Sequence, residues 1–170
     1  MRKEKGFSLI ELLIVVAIIL IIAAIAVPNL LKSKMAANEA SAAATLRSIA
    51  TANVTYSTTY GIGYSPSLVA LGPGAPSTSA KADLIDSVVG GSDPSTKSGY
   101  TFTYTPAVAA PTAAAPNNTF SVAATPTTAG TTGNSTFCLD QTNKVGKDPT
   151  GVTVAGAATG CDYTKFIPLQ

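Results

Sequence analysis

The sequence predicts an α+β fold, in which a long N-terminal membrane-spanning α-helix packs against a small antiparallel β-sheet head. Three observations lead there. Phe7 to Val27 is an apolar run whose one charged residue is Glu11. Asn29 to Tyr60 contains no Gly or Pro and is rich in Ala. From Tyr100 onward, aromatic residues alternate with threonines at the period of two that marks a strand with one buried face.

Residues 1–6 form a short basic leader, with Arg2, Lys3 and Lys5 ahead of Gly6. About 21 residues follow before Pro28, and at ~1.5 Å each they make a helix of roughly 31 Å, the hydrocarbon thickness of a bilayer. Positive charge in the leader keeps the N-terminus on the cytoplasmic side, so the chain beyond Pro28 is expected outside the membrane. Pro28 removes a backbone donor and is expected to bend the helix.

Glu11 is the residue that needs explaining. An acidic side chain at mid-bilayer costs very roughly 3 kcal/mol, and less within a turn of the edge. A unit positive charge at ~4 Å contributes about 4 kcal/mol at an effective dielectric near 20, which more than offsets that cost. The cation that fits is an α-amino group, present at this depth only if the leader is removed after Gly6 and Phe7 becomes the N-terminus. A secretory signal, for which Ala24-Ile25-Ala26 supplies a small-x-small site, has a shorter apolar core and leaves Glu11 unexplained. A plain membrane anchor for an external domain also fits the span. Glu11 could also serve only its own helix N-terminus, an effect worth ~0.3–1 kcal/mol when exposed.

Gly6-Phe7-Ser8-Leu9-Ile10-Glu11, the uncharged span behind it and Pro28 closely resemble the class III signal of type IV pilins and the related pseudopilins. The resemblance covers about the first 30 residues. It implies that a prepilin peptidase cuts between Gly6 and Phe7 and methylates the Phe7 amine. It further implies that Glu11 pairs with the Phe7 amine of a neighbouring subunit during assembly. The family usually has a mid-span glycine where this chain has Leu20, so the resemblance leaves open how far the helix melts in a filament.

Beyond Pro28, Ala42, Leu46, Ile49, Asn53, Tyr56 and Tyr60 recur at spacings of four and three, which place them along one helical face. Gly61 is a fitting stop. The whole of 7–60 then reads as one helix of roughly 80 Å, with 7–27 as its membrane and assembly half and 28–60 as its head-packing half. Tyr56 and Tyr60 are expected to pack under the sheet, while Glu39 and Arg47 lie off the apolar stripe and are expected to face solvent or a neighbour. Residues 61–99 read as a connector, with a short turn from Ser65-Pro66-Ser67 to Leu71 and a further short helix within Ala82 to Val89, and with surface and subunit contact as its expected job.

Residues 100–170 are expected to form the sheet and a C-terminal disulfide loop. Tyr100, Phe102 and Tyr104 would face the helix and the intervening threonines would face out. Further strands are expected at Thr119 to Ala124 and at Thr136 to Leu139, the latter turning through Asp140-Gln141-Thr142-Asn143 into Lys144-Val145. This strand-turn-strand also resembles a pseudopilin feature. Between Pro106 and Thr136 the Ala, Thr and Pro content suggests a loose surface loop, and Asn117-Asn118-Thr119 and Asn134-Ser135-Thr136 match the glycan acceptor triplet.

Cys138 and Cys161 are the only cysteines. In a chain expected outside the cytoplasm they most simply form a disulfide, constraining the unfolded state by roughly 3 kcal/mol, with two free thiols as the alternative. Many pilins staple a C-terminal loop in this way, which supports the pairing. Two cysteines alone are too few for a metal site. Asp140, Asp148 and Asp162 flank the loop and are candidate calcium ligands by resemblance to pseudopilins, although their spacing is not that of an EF-hand.

Only 12% of residues are charged. Removing Arg2, Lys3, Glu4 and Lys5 leaves eight side chains of each sign, which argues against a strong electrostatic grip on nucleic acid; a slight contact with DNA during uptake stays open. With no histidine, no base for either cysteine and no phosphate-cradling glycine pattern, the sequence supports neither an enzyme nor a cofactor. The resemblance therefore implies a structural subunit, held N-in in the inner membrane until identical subunits polymerise with the help of inner-membrane assembly machinery. A surface pilus serving adhesion, motility or DNA uptake is the first reading. The alternative is the major pseudopilin of a type II secretion system, in a periplasmic pseudopilus.

Overall fold

The computed structural model describes residues 7–151 and 160–169. The chain divides into two compact units, Met1–Lys34 and Met35–Gln170. Helix α1, Leu9–Tyr60, supplies the regular structure of the first and continues into the second. It runs through Pro28 without a break, so the missing donor does not end the helix. Gly61, in the left-handed region at φ 67°, closes it, the conformation that glycine adopts at least cost.

In the second unit, Ala42, Leu46, Ile49, Asn53 and Tyr56 of α1 are buried, and Tyr60 is half-buried with its ring centroid 4.8 Å from that of Tyr56. They face a six-stranded antiparallel meander: β1 (Ser95–Lys97), β2 (Tyr100–Pro106), β3 (Phe120–Pro126), β4 (Thr136–Asp140), β5 (Val145–Asp148) and β6 (Ile167–Pro168), in sequential order. The register sets Phe102 opposite Ala124, Tyr104 opposite Val122, Ala124 opposite Phe137 and Val122 opposite Leu139. Because side chains alternate along a strand, those residues share the face turned to α1 and form one apolar cluster with it. Phe120 stacks on Tyr104 at 5.4 Å and meets Tyr64 edge-on at 4.8 Å.

The other face of the sheet is expected to be wet, but over β3 and β4 it is dry. Ala123 and Cys138, opposite each other in the ladder, form a second cluster with Phe166 from the C-terminal segment. Gly146 makes room for that segment, since a Cβ there would lie 2.6 Å from Cβ of Phe166. Strands β1 and β6 lie outside the expected strand set. Three and two residues are too few for alternation to be read, and such short edges, one carrying Pro168, offer little for strand-by-strand growth.

The connector holds helices α2 (Leu68–Leu71) and α3 (Ser87–Gly90), each capped by the side chain before it, Ser67 and Asp86. Buried Asn117 ties it to the sheet. Its Nδ2 donates to the Tyr64 and Ser65 carbonyls, and its Oδ1 accepts from the Ala107 and Val108 N–H groups. With the side chain buried and both polar atoms engaged, Asn117 is removed as a glycan acceptor; Asn134 is exposed.

Asn53 plays the same part inside the core. Its Oδ1 accepts from the Ser65 N–H at 3.1 Å and from the Tyr104 hydroxyl at 3.0 Å, while Nδ2 donates to the Ile49 carbonyl. Asn53→Ala leaves two buried donors without an acceptor and is expected to destabilise the fold by about 2–4 kcal/mol. Denaturant unfolding of the full chain in detergent checks this, and a loss below 1 kcal/mol, on the order of a single surface change, contradicts it.

Candidate assembly site

The first unit presents its apolar residues outward. Phe7 is 84% exposed, Leu20 63% and Leu30 70%, and no residue of the most apolar window of α1 is buried. The helix is long and apolar enough to cross a membrane. Surface of this kind is stable in water only when covered, by lipid or by other apolar helices.

At the start of this helix stands a local device. Ser8 precedes the first helical residue, Leu9, and Glu11 lies three positions after Ser8, the Ser-x-x-Glu spacing of a capping box. The Ser8 N–H donates to Glu11 Oε2 at 3.0 Å, and the Leu12 N–H donates to the Ser8 carbonyl. Sequence reading gives Glu11 a bare attraction to the helix N-terminus as its local role; the geometry gives it a specific backbone donor. Oε1 has no hydrogen-bond partner among the described residues. One carboxylate oxygen is thus held within the chain and the other stays open. Gly6 and the rest of the leader lie outside the described residues, so the Gly6–Phe7 junction has no geometry here.

At the start of the second unit, polar contacts tie α1 to the loops of the sheet. Asn38 Nδ2 donates to the Thr132 carbonyl at 2.8 Å, and Ser41 donates to the Ser98 hydroxyl. Glu39 corrects the expectation of a solvent-facing or neighbour-facing residue. Its Oε1 accepts from the Asn134 and Ser135 N–H groups, and its Oε2 pairs with Lys147 Nζ at 2.9 Å, while that ammonium lies 5.8 Å from the Phe137 ring centroid. Arg47 is exposed, as expected.

Burial raises the Glu39 carboxyl, but the hydrogen bonds from Lys147, Asn134 and Ser135 and the Lys147 charge outweigh it and hold the group below its ordinary 4.5. A depressed carboxyl adds stability that is present above its unfolded value and lost as pH falls through the folded one. Asp93 behaves oppositely: burial lifts it above 3.8 despite N–H donors from Tyr104 and Leu68, so acid relieves it. The stability gap between the wild type and Glu39→Gln isolates the first effect. We expect that gap to be constant near neutrality and to close as pH drops below about 4.5; thermal melts across that range check it, and a gap independent of pH contradicts it.

Cys138 and Cys161 form a disulfide, with Cα atoms 5.9 Å apart. The three candidate calcium ligands are occupied separately. Asp140 Oδ1 accepts from the Thr142 N–H and hydroxyl and from Tyr163, while Oδ2 accepts from the Cys161 N–H. Asp148 accepts from the N–H and hydroxyl of Thr150, and Asp162 from those of Thr164. Each therefore closes an Asp-x-Thr turn. Among the described residues no group of three or more acidic, His or Cys side chains could hold a metal ion. A surface groove of about 420 Å³ lined by Arg47, Ala50, Thr51, Val54, Thr55 and Asn143 brings no acid and base together.

Comparison with known proteins bears on at most about a third of the chain. Residues 1–27 match the prokaryotic N-terminal methylation motif. The type IV wide pilus major component PilA4 of Thermus thermophilus is 62% identical over 39 residues, which cover 23% of this chain and 30% of that protein. The type IV major pilin protein PilA of Myxococcus xanthus is 44% identical over 54 residues, 32% of this chain and 24% of that protein. The matches thus span less than a third of either relative. No solved structure matches the chain. Motif and relatives together support the type IV pilin family, one relative being named as a pilus component and the other as a pilin.

Proposed function

We propose that this chain is the precursor of a type IV pilus subunit. Prepilin peptidase cuts between Gly6 and Phe7 and methylates the new amine. The mature chain, held N-in in the inner membrane by α1, is then passed by the assembly machinery into a filament of identical subunits at the cell surface. The observation that carries this reading is the Glu11 carboxylate, with one oxygen on the Ser8 N–H and the other open, at the tip of a helix whose first half leaves its large apolar side chains uncovered. Cleavage at Gly6 would put an ammonium group within reach of that site on an adjacent copy, and burial of the paired helices against one another would cover the apolar surface. Pro28, the other assembly residue by resemblance, is proposed to mark where the packed half of the helix ends. The blunt sheet edges favour growth through the helix over growth through strands.

A periplasmic pseudopilus is the second reading, favoured by the tight β4–β5 hairpin, in which Leu139 pairs with Val145. Immunogold microscopy with antibody to the head separates the two. Labelled fibres on intact cells, absent from a deletion strain, are expected; label reaching its target only after the outer layers are opened supports the pseudopilus instead.

A further inference from the structure

The charge-free part of α1 runs from Leu12 to Leu31, twenty residues bounded by Glu11 at one end and Lys32 at the other. At ~1.5 Å per residue this is about 30 Å, the thickness of the hydrocarbon layer. Lys32 and Lys34 follow at once. Both are exposed, and among the described residues neither has a hydrogen bond or an ion pair.

Positions two apart on a helix point about 200° apart, so the two ammonium groups leave α1 on nearly opposite sides. A protein docked on one face would reach one of them. A layer of anions surrounding the helix reaches both, and the four-carbon stems can lie along Leu30 and Leu31 while the charged ends extend to that layer.

We propose that Lys32 and Lys34 bind the phosphates of anionic phospholipids in the outer headgroup layer and so fix the depth of the unassembled subunit. This rests on the reading of α1 as a membrane span. The test uses the full chain labelled with ¹⁵N-lysine, reconstituted in vesicles of phosphatidylethanolamine and phosphatidylglycerol. Solid-state NMR then reads lysine nitrogen to lipid phosphorus proximity. The wild type is expected to show dephasing, K32Q and K34Q each to lose part of it, and the double variant to lose at least half. A double variant that resists alkaline carbonate extraction yet dephases like the wild type overturns the anchor alone. A wild-type chain released by carbonate overturns span and anchor together.

Discussion

Glu11→Val is expected to insert and to be processed normally, yet to yield at least tenfold fewer fibres when it is the sole subunit. Valine removes the open carboxylate oxygen that we assign to the neighbouring Phe7 amine. At ~4 Å and an effective dielectric near 20 such a pair contributes about 4 kcal/mol, roughly a thousandfold in an association constant. Valine also removes the bond from the Ser8 N–H, seen at 3.0 Å, a capping contact worth on the order of 1 kcal/mol. Glu11→Gln separates the two. Its side-chain oxygen can keep the Ser8 N–H while the charge is gone, so it should assemble nearly as poorly as valine. Wild-type fibre yield from Glu11→Gln would show that the cap alone matters and would sink the docking role. Yield is read by quantifying sheared fibres against membrane-bound subunit.

Gly6→Leu is expected to leave the leader in place. A peptidase pocket that accepts a residue without a Cβ cannot take an isobutyl group without overlap, and an unprocessed chain offers no amine at Phe7. The subunit should then accumulate in the membrane at its full precursor mass, with no fibres. A product of the same mass as the processed wild type contradicts the assigned junction.

The helical part of the fold is legible because α1 repeats one pattern over many turns, so Ala42, Leu46, Ile49, Asn53 and Tyr56 mark the buried face without help from any distant residue. The same holds for β2, where Tyr100, Phe102 and Tyr104 alternate with threonines. What escapes is non-local or very short. Glu39 finds its partners at Asn134, Ser135 and Lys147, about a hundred positions away, and nothing in its own neighbourhood encodes them. Asn117 fits an acceptor triplet as well as any exposed asparagine, and only its burial against the connector removes it. The dry outer face of β3 and β4 depends on Phe166 returning from the C-terminal segment.

Two local signals are plain in the sequence but easily read for charge alone. Asp140, Asp148 and Asp162 each precede a threonine by two positions, the spacing of a turn in which the carboxylate takes the N–H and hydroxyl of the same threonine. Ser8 and Glu11 have capping-box spacing, which accounts for one oxygen of the carboxylate and leaves the other open.

The chemical nature of the first residue of the mature protein tests the account most directly. Intact-mass and N-terminal fragment spectra of subunits from sheared fibres should show a chain beginning at Phe7 with a methylated amine. A subunit that keeps Met1, or that begins at Val27, carries no ammonium group beside Glu11 and contradicts assembly by that pairing.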